Sequence, residues 1–132
     1  MSALLDTHAV LWYLENSKEL STTARMTIED SVRNARALRV SAISIIETVY
    51  LAERNRIPPT ALQRLWNALI DPSAGLSIVP VDASVANALE NIPRSIVPDM
   101  PDRIIAATAL HLSLPLITRD SRLQFAGIQT IW

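Results

Sequence analysis

The sequence contains no cysteine and only two glycines, Gly75 and Gly127. The absence of cysteine excludes a disulfide scaffold, a thiolate zinc site and a cysteine nucleophile. Two isolated glycines exclude a P-loop and a dinucleotide-binding loop, because both loops need clustered glycines. Hydrophobic residues make up 49% of the 132 residues and charged residues only 19%. We therefore expect one folded domain with a substantial core, not a disordered tail.

Long hydrophobic runs are missing as well. The longest segment without a charged side chain is 104–118, which is shorter than the roughly 20 apolar residues that a membrane-spanning helix needs. The first residues lack the basic region of a signal peptide and reach an acid at Asp6. We expect a soluble cytoplasmic protein that does not associate with membranes.

Neither sign of charge dominates, because 12 basic residues stand against 13 acidic ones and the formal net charge is −1. Lys18 is the only lysine, and the other basic residues are arginines. Arginine suits phosphate because its planar guanidinium donates two parallel hydrogen bonds, although a genome-wide bias toward arginine explains the same composition. If the acids share one pocket, the remaining surface is mildly basic and could contact a polyanion.

Short apolar segments that predict β-strands alternate with segments of helical periodicity. Strands are predicted at 3–5, 38–42, 76–81 and 116–118, with a short last strand at 128–132. Helices are predicted at 9–14, 21–37, 44–54, 60–71, 82–90 and 102–114, with N-caps at Ser21, Ser44, Thr60 and Asp82. This alternation predicts an α/β fold with a central, mainly parallel sheet and helices on both faces.

Acidic residues follow the predicted strands closely. Asp6 comes directly after the first strand, Glu47 lies on the helix after the second, and Asp120 follows the fourth. Asp99 and Asp102 stand at the start of the last long helix. Ligands of parallel sheets bind beyond the carboxyl ends of the strands, so at least four of these carboxylates are expected to meet at one edge.

Each acid also has a structural explanation, and the residues alone leave the choice open. Asp6, Asp99 and Asp102 could cap helices or complement the helix dipole. Glu47 follows Ser44 in the pattern of a capping box, in which the glutamate returns to the N-cap amide. Asp120 could form a turn, as aspartate often does. The joint placement of the acids favours a functional site.

Crowded carboxylates repel one another, and a hard divalent cation such as Mg²⁺ or Mn²⁺ relieves that repulsion with oxygen ligands. Zinc fits less well, because His8 and His111 have no ligand partner at short spacing, and His111 is interpreted as a core residue. Phosphodiester hydrolysis is the chemistry most typical of such a cluster. Candidates for contacting the flanking phosphates are Arg103, Arg119 and Arg122.

Four segments in order resemble the motifs of the PIN-domain ribonucleases, specifically the VapC-type toxins of bacterial toxin–antitoxin pairs. They are LLDTHAVLW at 4–12, SAISIIE at 41–47, DMPDRIIAATA at 99–109 and LITRD at 116–120. Each motif is degenerate alone, but four motifs in this order and at these spacings are specific, and the match covers essentially the whole chain. The family commonly has Asp-Pro-x-Asp before the arginine, whereas here the proline comes one place later, at Pro101.

The resemblance implies a single PIN-like nuclease domain over residues 1–132, with a three-layer α/β/α architecture. It implies metal-dependent endonucleolytic cleavage of RNA with Mg²⁺ or Mn²⁺, a cognate antitoxin as partner, and a homodimer. It assigns both catalysis and metal binding to the four acids Asp6, Glu47, Asp102 and Asp120. It gives supporting roles to Asp99, Thr7 and Thr118.

A rival interpretation comes from a different functional class, namely a non-catalytic PIN-like binding or assembly module with a degenerate acidic pocket. The hydrophobic composition leaves room for an exposed apolar groove that could receive a partner helix. Trp12, Tyr13, Tyr50 and Trp66 could line such a groove, but we expect them to be core residues. Metal-dependent RNA cleavage by the purified protein distinguishes the two interpretations.

Overall fold

Five parallel β-strands form the central sheet of this computed structural model, which describes residues 2–132. The strands are β1 (Ala3–Leu5), β2 (Leu38–Ser41), β3 (Leu76–Val79), β4 (Leu116–Ile117) and β5 (Thr130–Ile131). Their order across the sheet is β3-β2-β1-β4-β5, and each neighbouring pair is parallel. The predicted strands are confirmed, each within two residues of its expected ends.

Six helices connect and cover the strands. They are α1 (Thr7–Leu14), α2 (Thr22–Arg33), α3 (Ala42–Glu53), α4 (Pro59–Ile70), α5 (Ala83–Leu89) and α6 (Met100–Leu112). Two short 3₁₀ segments lie at Pro72–Ala74 and Ser121–Ala126. Within residues 2–132 no helix combines the length and the apolar character that crossing a bilayer requires.

The central strand β1 packs against helices on both of its faces. Leu5 belongs to a core cluster that includes Leu65 of α4, whereas its neighbour Leu4 belongs to a second cluster that includes Ile105 of α6. Successive side chains of a strand point to opposite faces, and strands buried on both faces have continuous apolar sequences. The predicted three-layer α/β/α architecture with a parallel sheet is therefore confirmed.

The path of the chain creates a crevice beside β1. The chain moves outward from β1 through β2 to β3, and then crosses back to place β4 on the other side of β1. The segments that follow β1 and β4 consequently start from adjacent strands and run in different directions. In open parallel sheets this change of direction, at the carboxyl ends of the strands, is where ligands bind.

The predicted cap of α3 is wrong. The helix begins at Ala42, directly after β2, and its N-cap is Ser41, whose Oγ accepts a hydrogen bond of 3.2 Å from the amide of Ile43. Ser44 lies inside the first turn, so Ser44 and Glu47 do not form a capping box. The chain passes from strand to helix with no connecting loop, which moves the start of the helix ahead of the expected position.

The caps of the other helices agree with the sequence in two cases out of three. Ser21 accepts from the amide of Ala24 at 3.0 Å, and Asp82 caps α5 in the same way. Thr60 is not a cap, because α4 begins at Pro59 and has no side-chain cap. Proline at the first position of a helix has no amide hydrogen to satisfy, so a capping side chain is less needed there.

Some residues that were expected in the core lie at the surface. Trp66 is 41% exposed and Tyr50 is 54% exposed, and His111 is also exposed in the last turn of α6. Trp12 and Tyr13 are partly buried and pack against the core cluster that contains Leu5. Helical periodicity identified the apolar faces, but it does not say whether another element covers a particular face.

Candidate functional site

Asp6 lies at the carboxyl end of β1 and serves as the N-cap of α1. Its Oδ1 accepts a hydrogen bond of 2.8 Å from the amide of Ala9, and the hydroxyl of Thr118 also donates to its side chain. Burial raises the pKa of Asp6, while these two hydrogen bonds act in the opposite direction. The capping role therefore exists alongside the position at the sheet edge, and the two roles are compatible.

Thr118 connects two of the predicted acids. It is buried just after β4, its hydroxyl donates to Asp6, and its Oγ1 accepts a hydrogen bond of 3.1 Å from the amide of Asp120. One side chain therefore fixes the end of β1 relative to the loop after β4. A threonine suits this position because a hydroxyl donates and accepts at once.

Thr7 positions the helix that carries Glu47. Its buried Oγ1 donates to the Oγ of Ser44 at 2.9 Å, which ties the first turn of α1 to the first turn of α3. Glu47 lies three residues after Ser44 on α3. Ser44 was interpreted as a cap, and its role as the partner of Thr7 was missed, although a serine inside an apolar helix near an acid was a usable signal.

Three carboxylates form a compact group. Glu47, Asp99 and Asp102 each offer an oxygen, and these atoms all lie within 4.8 Å of one another. Asp99 also caps α6, where its Oδ2 accepts from the amide of Asp102 at 3.3 Å. The buried Oε1 of Glu47 has no hydrogen-bond partner among the described residues.

Electrostatic crowding centres on Asp102. Burial, followed by the charges of Asp99, Glu47, Asp6 and Asp120 in decreasing order, raises the pKa of Asp102 to about 7. All four other acids therefore act on this one carboxyl group. Asp99 has the largest charge effect of the four, and it belongs to the compact group with Glu47 and Asp102.

Asp120 differs from the others because a cation already compensates its charge. The guanidinium of Arg122 donates to its two carboxylate oxygens at 2.9 and 2.7 Å, and the amide of Arg122 donates at 3.0 Å. These contacts lower the pKa of Asp120 below its ordinary value. Asp120 is thus ionised and paired, whereas Asp102 is crowded by like charges.

Two adjacent cavities border the acids. The larger, about 350 Å³, is lined by Asp6, Asp102 and Asp120 on one side. The smaller, about 250 Å³, is lined by Glu47 and Asp99 together with apolar side chains of α3. Because the carboxylate of Asp102 approaches those of Glu47 and Asp99, it connects the acids of the two cavities.

Of the three arginines predicted as phosphate contacts, Arg103 already makes contacts with the backbone. Its guanidinium is occupied by the backbone carbonyls of Ile92 at 3.0 Å and Leu89 at 3.2 Å, so it braces the end of α5. Arg119 and Arg122 are exposed beside the larger cavity and remain candidates.

The acids fit a hard divalent cation better than they fit an ion-free site. Mg²⁺ and Mn²⁺ prefer oxygen ligands, and the compact group offers three carboxylates. Glu47 presents a buried oxygen that lacks a hydrogen-bond partner among residues 2–132, and a buried acceptor without a partner is unfavourable. A cation near Glu47, Asp99 and Asp102 would satisfy that oxygen and offset the repulsion around Asp102.

The chain is similar to known proteins both in sequence and in structure. The family model described as PIN domain matches residues 3–128. Ribonuclease VapC22 of Mycobacterium tuberculosis is 36% identical over 124 residues, which cover 93% of this chain and 90% of that protein.

Two solved structures share the fold. VapBC2 from Rickettsia felis, bound to a DNA fragment from its promoter, superposes with a TM-score of 0.74 and 15% identity over 98% of this chain and 97% of that chain. A toxin-antitoxin complex from Klebsiella pneumoniae superposes with a TM-score of 0.61 and 24% identity over 90% and 87%. The fold is therefore the same across almost the full length of these chains.

Proposed function

Since this chain belongs to the PIN-domain family, we propose that it is a metal-dependent endoribonuclease and the toxin of a toxin–antitoxin pair. The relative of 36% identity is named a ribonuclease, and its similarity extends over nearly the whole chain. The observation that carries the proposal is the compact group of Glu47, Asp99 and Asp102, because it offers a divalent cation the ligands that phosphodiester hydrolysis requires.

Metal binding is assigned to Asp6, Glu47, Asp102 and Asp120, with Asp99 as a fifth acid of the same site. Mg²⁺ or Mn²⁺ bound there supplies activation of a water and stabilisation of the charge that develops on the phosphate. The buried oxygen of Glu47, which has no hydrogen-bond partner within residues 2–132, would either bind the ion or orient the attacking water.

Two hydroxyls position the acids for this task. Thr118 holds the carboxylate of Asp6 and the backbone of Asp120 together, and Thr7 anchors α3 through Ser44. Neither hydroxyl needs to touch the substrate. Their effect is to keep side chains from three separate elements in one arrangement, and such preorganisation lowers the barrier to reaction.

The partners follow from the same reasoning. RNA is the substrate class, because the relative in sequence is named a ribonuclease. A cognate antitoxin protein is the expected binding partner, since one structural neighbour is a toxin-antitoxin complex and another is a VapBC complex. A homodimer is expected as well, and size-exclusion chromatography with light scattering tests it directly.

The decisive experiment is cleavage of mixed single-stranded RNA by the purified protein with Mn²⁺ and with excess EDTA. Glu47→Gln should abolish cleavage, because it removes a charge from the centre of the site while keeping the shape of the side chain. Glu53→Gln is the matched control, since Glu53 lies exposed at the far end of the same helix and should leave cleavage unchanged. Full activity in a folded Glu47→Gln protein would contradict the assignment.

Asp6 needs a more careful substitution than alanine. Because its carboxylate caps α1, Asp6→Ala removes a helix cap along with the acid, and such losses cost about 1 kcal/mol of stability. Asp6→Asn keeps an oxygen for the amide of Ala9 and removes the charge. We expect this variant to unfold close to the wild-type temperature and to be inactive. Metal-dependent cleavage by Asp6→Asn at the wild-type rate would remove Asp6 from the catalytic set.

A further inference from the structure

One wall of the larger cavity carries flat side chains in place of acids. The ring of His8 lies 5.3 Å from the ring of Trp12, tilted by 45°, and the guanidinium carbon of Arg119 lies 4.7 Å above the ring of Trp12. All three residues line the same cavity as Asp6, Asp102 and Asp120. The cavity therefore has an acidic half and an aromatic half.

Contacts outside the cavity hold the residues of the aromatic half in place. Trp12 is partly buried and packs against Trp132 with ring centroids 5.9 Å apart. Arg119 is kept over Trp12 by an ion pair of 3.1 Å with Glu19. His8 differs from these supporting residues because it is exposed, and its charge acts on the neighbouring Asp6.

Sequence spacing explains why His8 and Trp12 face the same way. They are four residues apart on α1, so they lie on one face of the helix, one turn from each other. Because α1 begins immediately after β1, the first turn that carries His8 starts beside Asp6. A planar group stacked on His8 would thus sit next to the acids.

The geometry points to a nucleobase-binding subsite in which an unpaired base of single-stranded RNA stacks on His8, next to the phosphate that the acidic half receives. The identity of the ligand rests on the proposed nuclease function. Unstacked bases of single-stranded RNA are recognised by stacking on aromatic rings and on arginine guanidinium planes, and this cavity presents both. Trp12 and Arg119 are positioning residues in this arrangement, and His8 makes the contact with the base.

A binding assay without catalysis tests the subsite separately from the reaction. The host protein is Asp102→Asn, in which the amide replaces a crowded carboxyl group with the same shape. Binding of a fluorescently labelled single-stranded RNA oligonucleotide is measured by anisotropy with Mn²⁺ present, because a cation offsets the repulsion between the remaining acids and the phosphate. Adding His8→Ala should weaken binding about fivefold, which is the lower end of the range measured for loss of one stacked base.

Rescue and control variants separate stacking from a merely structural role. His8→Phe restores a ring without the imidazole nitrogens, so it should return the affinity to within about twofold of the host protein. His111→Ala removes the other histidine of the chain, which lies exposed at the opposite end of α6 from the acids, and should have no effect. Unfolding temperatures of the three variants should agree with that of the host.

An abasic oligonucleotide locates the stacked base. One base at a time is removed along the RNA, and the affinities of the host protein and of the His8→Ala variant are compared. At one position the two proteins should bind the abasic RNA equally well, and at every other position His8→Ala should still bind more weakly. In the active protein, His8→Ala should raise KM for RNA and leave kcat close to its wild-type value, because a ground-state contact is lost.

Several results would overturn the subsite. Unchanged RNA affinity in His8→Ala would do so, and it would also be the result if this wall served only a protein partner. His8→Phe binding as weakly as His8→Ala would show that the ring does not act by stacking. A failure of the nuclease proposal alone would give a different result. The wild-type protein would then cleave no RNA with Mn²⁺, but RNA binding would still depend on His8 and on one base.

Discussion

Replacing Asp102 by asparagine should make the metal-free protein more stable. Burial and four neighbouring acids raise the pKa of Asp102 from 3.8 to about 7. At about 1.4 kcal/mol per pKa unit, that shift corresponds to roughly 4 kcal/mol of unfavourable interaction when the group is ionised. Asp102 is only partly buried, so solvent screening reduces this to about 2 kcal/mol.

The effect has a defined pH dependence. Because the folded-state pKa of Asp102 is raised, the folded protein binds more protons than the unfolded chain between about pH 4 and pH 7. The contribution of Asp102 to the stability of the wild type therefore falls as the pH rises through that interval. The gain from Asp102→Asn is largest above pH 7, where it should raise the unfolding temperature by about 7 °C, and it shrinks toward pH 4.

Thermal unfolding in EDTA at several pH values measures this difference. Asp71→Asn is a matched control, because Asp71 is exposed and hydrogen bonds from Ser73 lower its pKa. The same chemical change should lower stability there, and more so at high pH. Mn²⁺ should stabilise the wild type more than Asp102→Asn. An Asp102→Asn protein that is less stable than wild type at pH 8 would refute the idea that like charges crowd this carboxyl group.

Two further predictions concern the residues around the acids. Thr7→Val keeps the shape of the side chain but removes the buried hydrogen bond to Ser44. It should lower the free energy of unfolding, measured by urea denaturation, by about 1–2 kcal/mol. An unchanged midpoint of the urea transition would show that the hydrogen bond contributes nothing to stability. Arg122→Gln removes the guanidinium that contacts Asp120, so the pKa of Asp120 should rise toward its ordinary value. Carbon-detected NMR titration measures this pKa. A pKa that stays low would mean that groups other than Arg122 lower it.

The overall architecture was predictable because its signals are local. Each strand is a short apolar segment between helical patterns, and parallel strands joined by helices place their carboxyl ends at one edge. With β1 and β4 adjacent in the sheet, that rule brings the neighbourhoods of Asp6 and Asp120 together. The predicted N-caps Ser21 and Asp82 succeeded for the same reason, because a cap contacts an amide only three residues away.

The features that the local sequence pattern did not reveal depend on contacts far away in the sequence. Ser44 has the local pattern of a cap, but its hydroxyl is bound by Thr7, 37 residues earlier. Arg103 stands beside an acid in the sequence, yet its guanidinium reaches the carbonyls that end α5. Tyr50 was expected in the core, but it remains 54% exposed, because no other element within residues 2–132 buries its side chain.

The strongest argument for a cation site is that a single cation would relieve two separate energetically unfavourable features. In the described part of the chain, Glu47 holds a buried oxygen without a hydrogen-bond partner, and Asp102 carries a carboxyl group whose ionisation is opposed by four neighbouring acids. Capping explains the positions of Asp6 and Asp99, but it explains neither of these features. A divalent cation among Glu47, Asp99 and Asp102 satisfies the first and compensates the second. If that is why both persist, Mn²⁺ should stabilise Glu47→Gln less than the wild type, even under conditions in which no RNA is present.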